Sequence, residues 1–123
     1  MTPNADELDP VFSALASYFS VLSEPSRLKI MHAVCESERC VGAIVATTGI
    51  SQPNVSRQLA LMHQRGLVRR RREGNQIFYR IADETMPEVC RAVCARIAAD
   101  MDKRRLLRRK LLRLMPPPRR RAA

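Results

Sequence analysis

The spacing of apolar residues changes abruptly at Gly66. Before it, Val55, Leu59 and Met62 recur at helical spacing within SQPNVSRQLALMHQR, which predicts an amphipathic helix that ends at this glycine. After it, LVRR and QIFYRI alternate with a period of two around an EGN turn at 73 to 75, which predicts a β-hairpin. A chain of 123 residues holds one such core.

Helix signals elsewhere complete the predicted fold. Asp9 before Pro10 predicts the start of a first helix, and SEPS at 23 to 26 predicts the start of a second. A short apolar helix at 40 to 48 ends at Gly49, and a last helix begins near Met86 and extends to Met115. The predicted fold is mainly α with a small β-hairpin: four helices, two strands and a last helix with an extended C-terminus.

Basic residues are concentrated in two separate regions. In total, 22 Lys and Arg against 12 Asp and Glu give a formal net charge of +10. Residues 51 to 80 hold seven arginines against Glu73 alone, and residues 103 to 123 hold ten basic residues and no acid. This balance predicts a polyanionic partner. We expect a folded domain at 1–102 and a basic C-terminal extension at 103–123.

Several features indicate a cytoplasmic protein. The longest apolar run, CVGAIVA, is far shorter than the roughly 20 residues that span a bilayer, and the first ten residues are acidic. We therefore expect no membrane association of the folded domain, and we expect the four cysteines to be thiols. A thiol-dependent enzyme is disfavoured because C-x-x-C, nucleophile-turn and phosphate-loop motifs do not occur in the sequence.

The helix that precedes the hairpin has the composition of a DNA-reading helix. Two helices joined by TTGIS form a candidate helix-turn-helix, and the hairpin adds Arg69, Arg70, Arg71 and Arg72 beside it for contact with phosphates. Glutamine, asparagine and arginine have the geometry to bind adenine and guanine edges. Away from the apolar stripe lie Gln52, Asn54, Ser56, Arg57 and Gln58. This combination predicts a winged helix-turn-helix; the alternatives are a solvated strand edge beside a surface helix, and an adaptor that binds no DNA.

Three segments resemble the arsenic-repressor (ArsR/SmtB) family of bacterial regulators. They are LSEPSRLKI, SQPNVSRQLALMHQRGLV and RREGNQIFYRI, and the resemblance extends over roughly residues 12 to 97. It implies a homodimer assembled through the first and last helices, which binds a two-fold operator on double-stranded DNA, leaves it when an inducer binds, and requires no cofactor. It also implies the following reading residues: Ser51, Gln52, Asn54, Ser56 and Arg57 on the helix, and Arg72, Asn75 and Gln76 on the wing.

The four cysteines are the candidate sensors. Cys90 and Cys94 lie four residues apart on the last helix, so both thiols project from one face, either as sensors or as small apolar residues in a dimer seam. Cys40 follows Arg39 at a helix start, where positive charge and the helix dipole favour a thiolate; the alternative is a passive capping residue. Cys35, near the end of the second helix, is either core or sensor.

Comparison with the resembled family restricts the inducer. Its arsenic sensors often carry Cys-x-Cys at the start of the third helix, where this chain has Cys40 but Gly42 in the second position. Its zinc sensors use histidine and acids on the last helix, whereas the two histidines here, His32 and His63, lie elsewhere. An arsenic site of the family type is thus incomplete and a zinc site of the family type absent, which leaves thiol chemistry: a soft ion such as arsenite, or sulfur-based modification.

Thiols supply the candidate ligand set for that ion. Cys40, Cys90 and Cys94 are its expected ligands, since soft ions prefer thiolates. The alternative is a persulfide or redox switch, which the resemblance implies would pair Cys35 with Cys90 or Cys94. Both readings make the inducer thiol-reactive.

The basic extension has no counterpart in the resembled family. KRRLLRRKLLRLM continues the last helix with leucines among arginines, and PPPRRRAA ends the chain. Three roles are open: a longer dimer interface, a nonspecific basic arm on DNA, or contact with an anionic membrane surface. The first two together are favoured.

Overall fold

The computed structural model describes Thr2 and residues 4 to 114. In chain order the elements are α1 (Ala5–Val21), α2 (Pro25–Glu36), β1 (Arg39–Cys40), α3 (Val41–Thr48), α4 (Gln52–Gln64), β2 (Val68–Glu73), β3 (Gln76–Ile81) and α5 (Thr85–Leu114). The predicted helices and hairpin are confirmed. Met115, the predicted end of the last helix, and the PPPRRRAA segment lie outside the described residues.

Helices α2, α3 and α4 bury a common apolar core. Ile30 of α2, Ile44 of α3 and the stripe of Val55, Leu59 and Met62 on α4 are fully buried. Each such side chain contributes about 1.5 to 3 kcal/mol relative to exposure. The stripe predicted from sequence is therefore the face by which α4 packs, and its opposite face is left toward solvent.

The sheet has three strands, one more than predicted. β2 and β3 form the expected antiparallel hairpin, and β1 pairs with the other side of β3 through Arg39 opposite Tyr79 and Cys40 opposite Phe78. A strand of only two residues is too short to show an apolar period in the sequence, so β1 could not be predicted and forms only through its pairing with β3. The prediction that Cys40 begins the third helix is wrong by one residue, because Cys40 ends β1 and is the N-cap of α3.

The first helix begins before the predicted Asp9. Asn4 is its N-cap, and its side chain accepts a hydrogen bond from the Glu7 N–H at 2.9 Å. The Glu7 carboxylate in turn accepts one from the Asn4 N–H at 3.3 Å. This reciprocal capping box satisfies two backbone donors, which explains why α1 begins here. Pro10, predicted to stand in the first turn, therefore lies inside the helix.

The chain divides into two compact units. Met1–Pro87 contains the first four helices and the sheet, and Glu88–Ala123 contains most of α5. In the part of the chain that the structure describes, no helix has the length and apolar character needed to cross a bilayer.

Candidate DNA-binding surface

A short hydrogen-bonded turn joins α3 to α4. Gly49 adopts a left-handed conformation with φ of 71°, and its N–H donates to the Val45 carbonyl at 2.9 Å. The Thr48 hydroxyl donates to the Ile44 carbonyl at 2.7 Å and accepts from the Ile50 N–H at 3.3 Å. These bonds satisfy the last carbonyls of α3 and fix the direction in which α4 leaves the turn.

Replacement of Gly49 tests the geometry of this turn. An added Cβ would meet nothing within 4 Å, so only the backbone conformation opposes a side chain here. We expect Gly49→Ala to lower the free energy of unfolding by about 1 kcal/mol or slightly more, and Gly49→Asn to lower it less, because asparagine tolerates the left-handed region. Urea denaturation measures both. Equal stability of wild type and Gly49→Ala would contradict the turn described here.

The face of α4 opposite the core carries the predicted reading residues. Ser51, Gln52, Ser56 and Arg57 are exposed, whereas Asn54 is half-buried. Ser51 is the N-cap of α4, but its side chain makes no capping hydrogen bond. Its hydroxyl is thus not committed to the helix end.

Gln58 and Asn54 differ from the other predicted reading residues of α4 because their side-chain amides are hydrogen-bonded to each other. The Gln58 carbonyl oxygen accepts a hydrogen bond from Arg27 Nη1 at 3.3 Å, and its amide nitrogen donates to Asn54 Oδ1 at 3.4 Å. Arg27 also donates to the Val21 and Ser20 carbonyls at the end of α1, at 2.7 and 3.0 Å. Arg27, which sequence reasoning missed, therefore links α1 and α2 to the reading helix.

The arginine run on β2 alternates between the two faces of the hairpin. Arg71 forms ion pairs with Glu38 at 2.5 Å and Glu73 at 2.6 Å, and its guanidinium lies 4.8 Å from the centre of the Phe78 ring. The hydrogen bonds that Arg71 donates to the Glu38 and Glu73 carboxylates raise the pKa of Arg71 above its ordinary value, so the guanidinium stays charged. Arg71, predicted to contact DNA, is thus engaged within the protein, and its partner Glu38 was missed.

The other arginines of the hairpin remain exposed. Arg69, Arg70, Arg72 and Arg80 have no acidic partner among the residues that the structure describes. Asn75 and Gln76 at the tip are exposed as well. A polar helix face with a single charge, Arg57, and a strongly positive hairpin therefore lie in the same unit, the combination that base reading and phosphate contact require.

The predicted sensor cysteines lie on three elements. Cys35, near the end of α2, and Cys94 are exposed, whereas Cys40 and Cys90 are half-buried. Burial raises the pKa of the Cys90 thiol, and the neighbouring Cys94 raises it further. Within residue 2 and residues 4 to 114, no group of three or more His, Cys, Asp or Glu side chains is placed to hold a metal ion.

Comparison with known proteins identifies the family. Residues 24–70, from the N-cap of α2 into β2, match the profile described as "Bacterial regulatory protein, arsR family". An HTH-type transcriptional regulator of Mycobacterium tuberculosis is 34% identical over 98 residues, which cover 76% of this chain and 86% of the relative. The chain belongs to the ArsR family. Membership makes it a DNA-binding regulator of transcription and not an enzyme, as the sequence predicts.

A solved structure of this relative and two further proteins are also similar to the chain. The crystal structure of the M. tuberculosis regulator Rv0081 superposes on this ArsR-family chain with a TM-score of 0.68 and 33% identity, covering 76% of this chain and 97% of that one. A homodimeric winged helix-turn-helix domain from Mycobacterium bovis, solved by NMR, gives a TM-score of 0.64 and 31% identity, with 81% and 91% covered. A probable mercury resistance operon repressor of Streptomyces lividans is 33% identical over 90 residues, with 71% and 72% covered.

Proposed function

We propose that the protein is a homodimeric repressor that binds a two-fold DNA operator and leaves it when a thiol-reactive inducer binds. The observation that carries the proposal is the exposed polar face of α4 in one unit with a hairpin on which Arg69, Arg70, Arg72 and Arg80 are exposed and have no acidic partner among the described residues. The helix face is suited to base edges in the major groove, and the arginines to phosphates.

Dimerisation is supported by apolar side chains that the single chain leaves uncovered. On α1, Val11, Phe12, Leu15 and Phe19 are 48–60% exposed, and Val21 is the one buried residue. On α5, Val93, Ile97 and Met101 are each more than half exposed. Apolar stripes of this kind mark interfaces in soluble proteins. The occupant proposed is a second copy, as in the homodimeric M. bovis domain, and two-fold symmetry would match a two-fold operator.

A mobility-shift experiment tests the proposal. The full-length protein is incubated with DNA from upstream of its own gene and with an unrelated duplex of equal length. A repressor gives a discrete shift with the first at concentrations that leave the second free. An adaptor that uses the winged helix without DNA shifts neither duplex, and that result would reject the proposal.

The proposed inducer is arsenite or another soft ion held by thiolates. Cys90 and Cys94, two thiols one helical turn apart on α5, are the proposed ligands. Cys40, the third ligand expected from the sequence, lies in the other unit, and the described residues include no group of three such side chains placed to hold an ion. This donor chemistry fits a soft ion, which draws thiolates together when bound, and the relative from S. lividans is named for mercury resistance. The ion releases DNA only if it binds the DNA-free conformation better, with about 1.4 kcal/mol of coupling for each tenfold loss of affinity.

Replacement of the cysteine pair tests this part of the proposal. We expect Cys90→Ser with Cys94→Ser to bind the operator as the wild type does but to remain bound when arsenite is added. Cys35→Ser is the matched control and should still be released. If instead Cys35→Ser alone abolishes release by a persulfide, while arsenite has no effect on the wild type, the inducer is a sulfur species and the soft-ion assignment is wrong.

The pH dependence of release follows from the raised pKa of Cys90. A thiol must lose its proton to bind a soft ion, and a raised pKa leaves more of it protonated near neutral pH. A soft divalent cation such as Hg²⁺ displaces a proton from each thiol that it binds, so it is expected to release DNA at lower concentration as the pH rises from neutral toward the Cys90 pKa. Arsenous acid, As(OH)3, takes up the thiol protons in the water that it loses, so its release midpoint is expected to stay constant over the same range. Fluorescence anisotropy of labelled operator measures this. A pH-independent midpoint with the divalent cation in this range would show that Cys90 is not a ligand.

A further inference from the structure

One pair of residues on the hairpin places two like charges face to face. In the β2–β3 register Arg69 lies directly opposite Arg80. Directly opposite side chains of an antiparallel pair have Cβ atoms about 4.5 to 5.5 Å apart, and like charges at this spacing destabilise the pair. Both arginines are exposed, and neither has an acidic partner in the described part of the chain.

Glu38, the acid that lines the same surface groove as this pair, is committed to Arg71. On the same face of the hairpin the next pair is Arg71 and Phe78. Glu38 lies in a surface groove with Arg69, Arg70, Arg71 and Arg80. Its Oε1 already accepts from both Nε and Nη2 of Arg71 at 2.5 Å. The groove therefore keeps three arginines, Arg69, Arg70 and Arg80, whose charge is compensated by no carboxylate of the described residues.

We infer that Arg69 and Arg80 form an anion site at the base of the hairpin, and that its ligand is a phosphate group. Two guanidinium groups facing each other present several N–H donors to one anion, and planar guanidinium groups match the oxygens of phosphate. A bound phosphate would also relieve the repulsion between the two arginines. This inference rests on the proposed function for the source of the phosphate, which is the backbone of bound DNA rather than free phosphate.

The Arg71–Glu38 ion pair explains why the anion site consists of Arg69 and Arg80 and does not include Arg71. Because Arg71 is bound by Glu38 and Glu73 and lies over Phe78, it is not available to the anion. The same ion pair ties β2 to the residue just before β1, which fixes the position of the groove. Arg80, on β3, is outside the arginine run that sequence reasoning considered, so only the strand register brings it to Arg69.

The test compares full-length Arg69→Gln, Arg80→Gln and the double variant with Arg91→Gln. Arg91 is an exposed arginine of α5 and serves as the charge-matched control. Binding to the protein's upstream DNA is measured as a function of salt. Each single variant is expected to bind DNA about tenfold more weakly. The slope of log affinity against log salt is expected to fall by about the value for one phosphate contact. The double variant is expected to lose little more than either single variant, because both side chains bind one phosphate.

Stability measurements separate loss of the site from misfolding. In chloride buffer, removing one of two opposed charges should leave the variants at least as stable as the wild type. Inorganic phosphate is then added at matched ionic strength. If it stabilises the wild type but not the variants, the site also binds free phosphate. No such stabilisation, together with weaker DNA binding by the variants, would identify DNA as the only source.

Failure of the anion site and failure of the proposed function give different results. If the wild type binds DNA and both single variants behave as Arg91→Gln does, the anion site is wrong and the proposed function stands. If the wild type does not bind DNA, the proposed function fails, and absence of stabilisation by phosphate would reject the site as well.

Discussion

Simultaneous replacement of Gln52 and Arg57 by alanine is expected to weaken operator binding by about thirtyfold or more. Both side chains are exposed on the outer face of α4, opposite the buried stripe, and neither is tied to another side chain by a hydrogen bond within the described residues. A bidentate contact with a base edge is worth about 1 to 3 kcal/mol, so two lost contacts amount to about 2 kcal/mol at the least. Fluorescence anisotropy with labelled operator measures the change.

The control for this prediction is Gln64→Ala. Gln64 is an exposed glutamine on the last turn of the same helix, distant along the chain from the predicted reading residues. We expect it to bind as the wild type does. For the Gln52 and Arg57 double variant, the affinity for unrelated DNA should fall only by the contribution of the one charge that Arg57 carries, because the hairpin arginines are kept. Equal losses on operator and unrelated DNA would show that α4 contacts phosphates and does not read sequence.

Neutralising the basic extension is expected to have the largest effect on the salt dependence of binding. Residues 103 to 114 contain seven basic side chains, no acid and five exposed leucines. We propose that this part of α5 contacts the DNA backbone without reading sequence. Replacing Arg104, Arg105, Arg108 and Arg109 by glutamine should then reduce the slope of log affinity against log salt by up to about four. Titrations at several salt concentrations measure it.

The leucines of the extension separate the remaining roles. Leu107→Ala with Leu111→Ala removes apolar surface but no charge, so the salt slope should stay unchanged. If the arginine variant keeps the wild-type slope while this leucine variant dissociates into monomers, the extension lengthens the dimer interface and does not contact DNA. Binding of the unchanged protein to anionic vesicles, lost in the arginine variant, would instead support the membrane role.

Local patterns were sufficient to predict the framework of the reading surface. The apolar spacing of Val55, Leu59 and Met62 predicted which face of α4 is buried, because the helical period fixes which residues share a face. Gly49 and Gly66, at the ends of α3 and α4, both have positive φ and mark the helix ends that the sequence indicated. The alternation after Gly66 likewise predicted the hairpin and its turn.

Contacts between distant parts of the chain were not predictable from these patterns. The Arg71–Glu38 pair spans 33 residues and the Arg27–Gln58 bond spans 31, and neither residue type nor spacing indicates such a partner. A period of two does predict that Arg71 lies on the opposite face of β2 from Arg70 and Arg72. It does not predict which face meets an acid. Only the folded register shows that Arg71 is engaged and that Arg69 faces a second arginine.

Dimethyl sulfate footprinting of the bound operator tests the central claim most directly, namely that the outer face of α4 enters the major groove. The reagent methylates guanine N7 in the major groove and adenine N3 in the minor groove. We predict protection of guanine N7 in two clusters about 10 base pairs apart, one for each subunit, and loss of that protection with Arg57→Ala. A stable complex in which every guanine N7 remains reactive, or in which only adenine N3 is protected, would contradict the account.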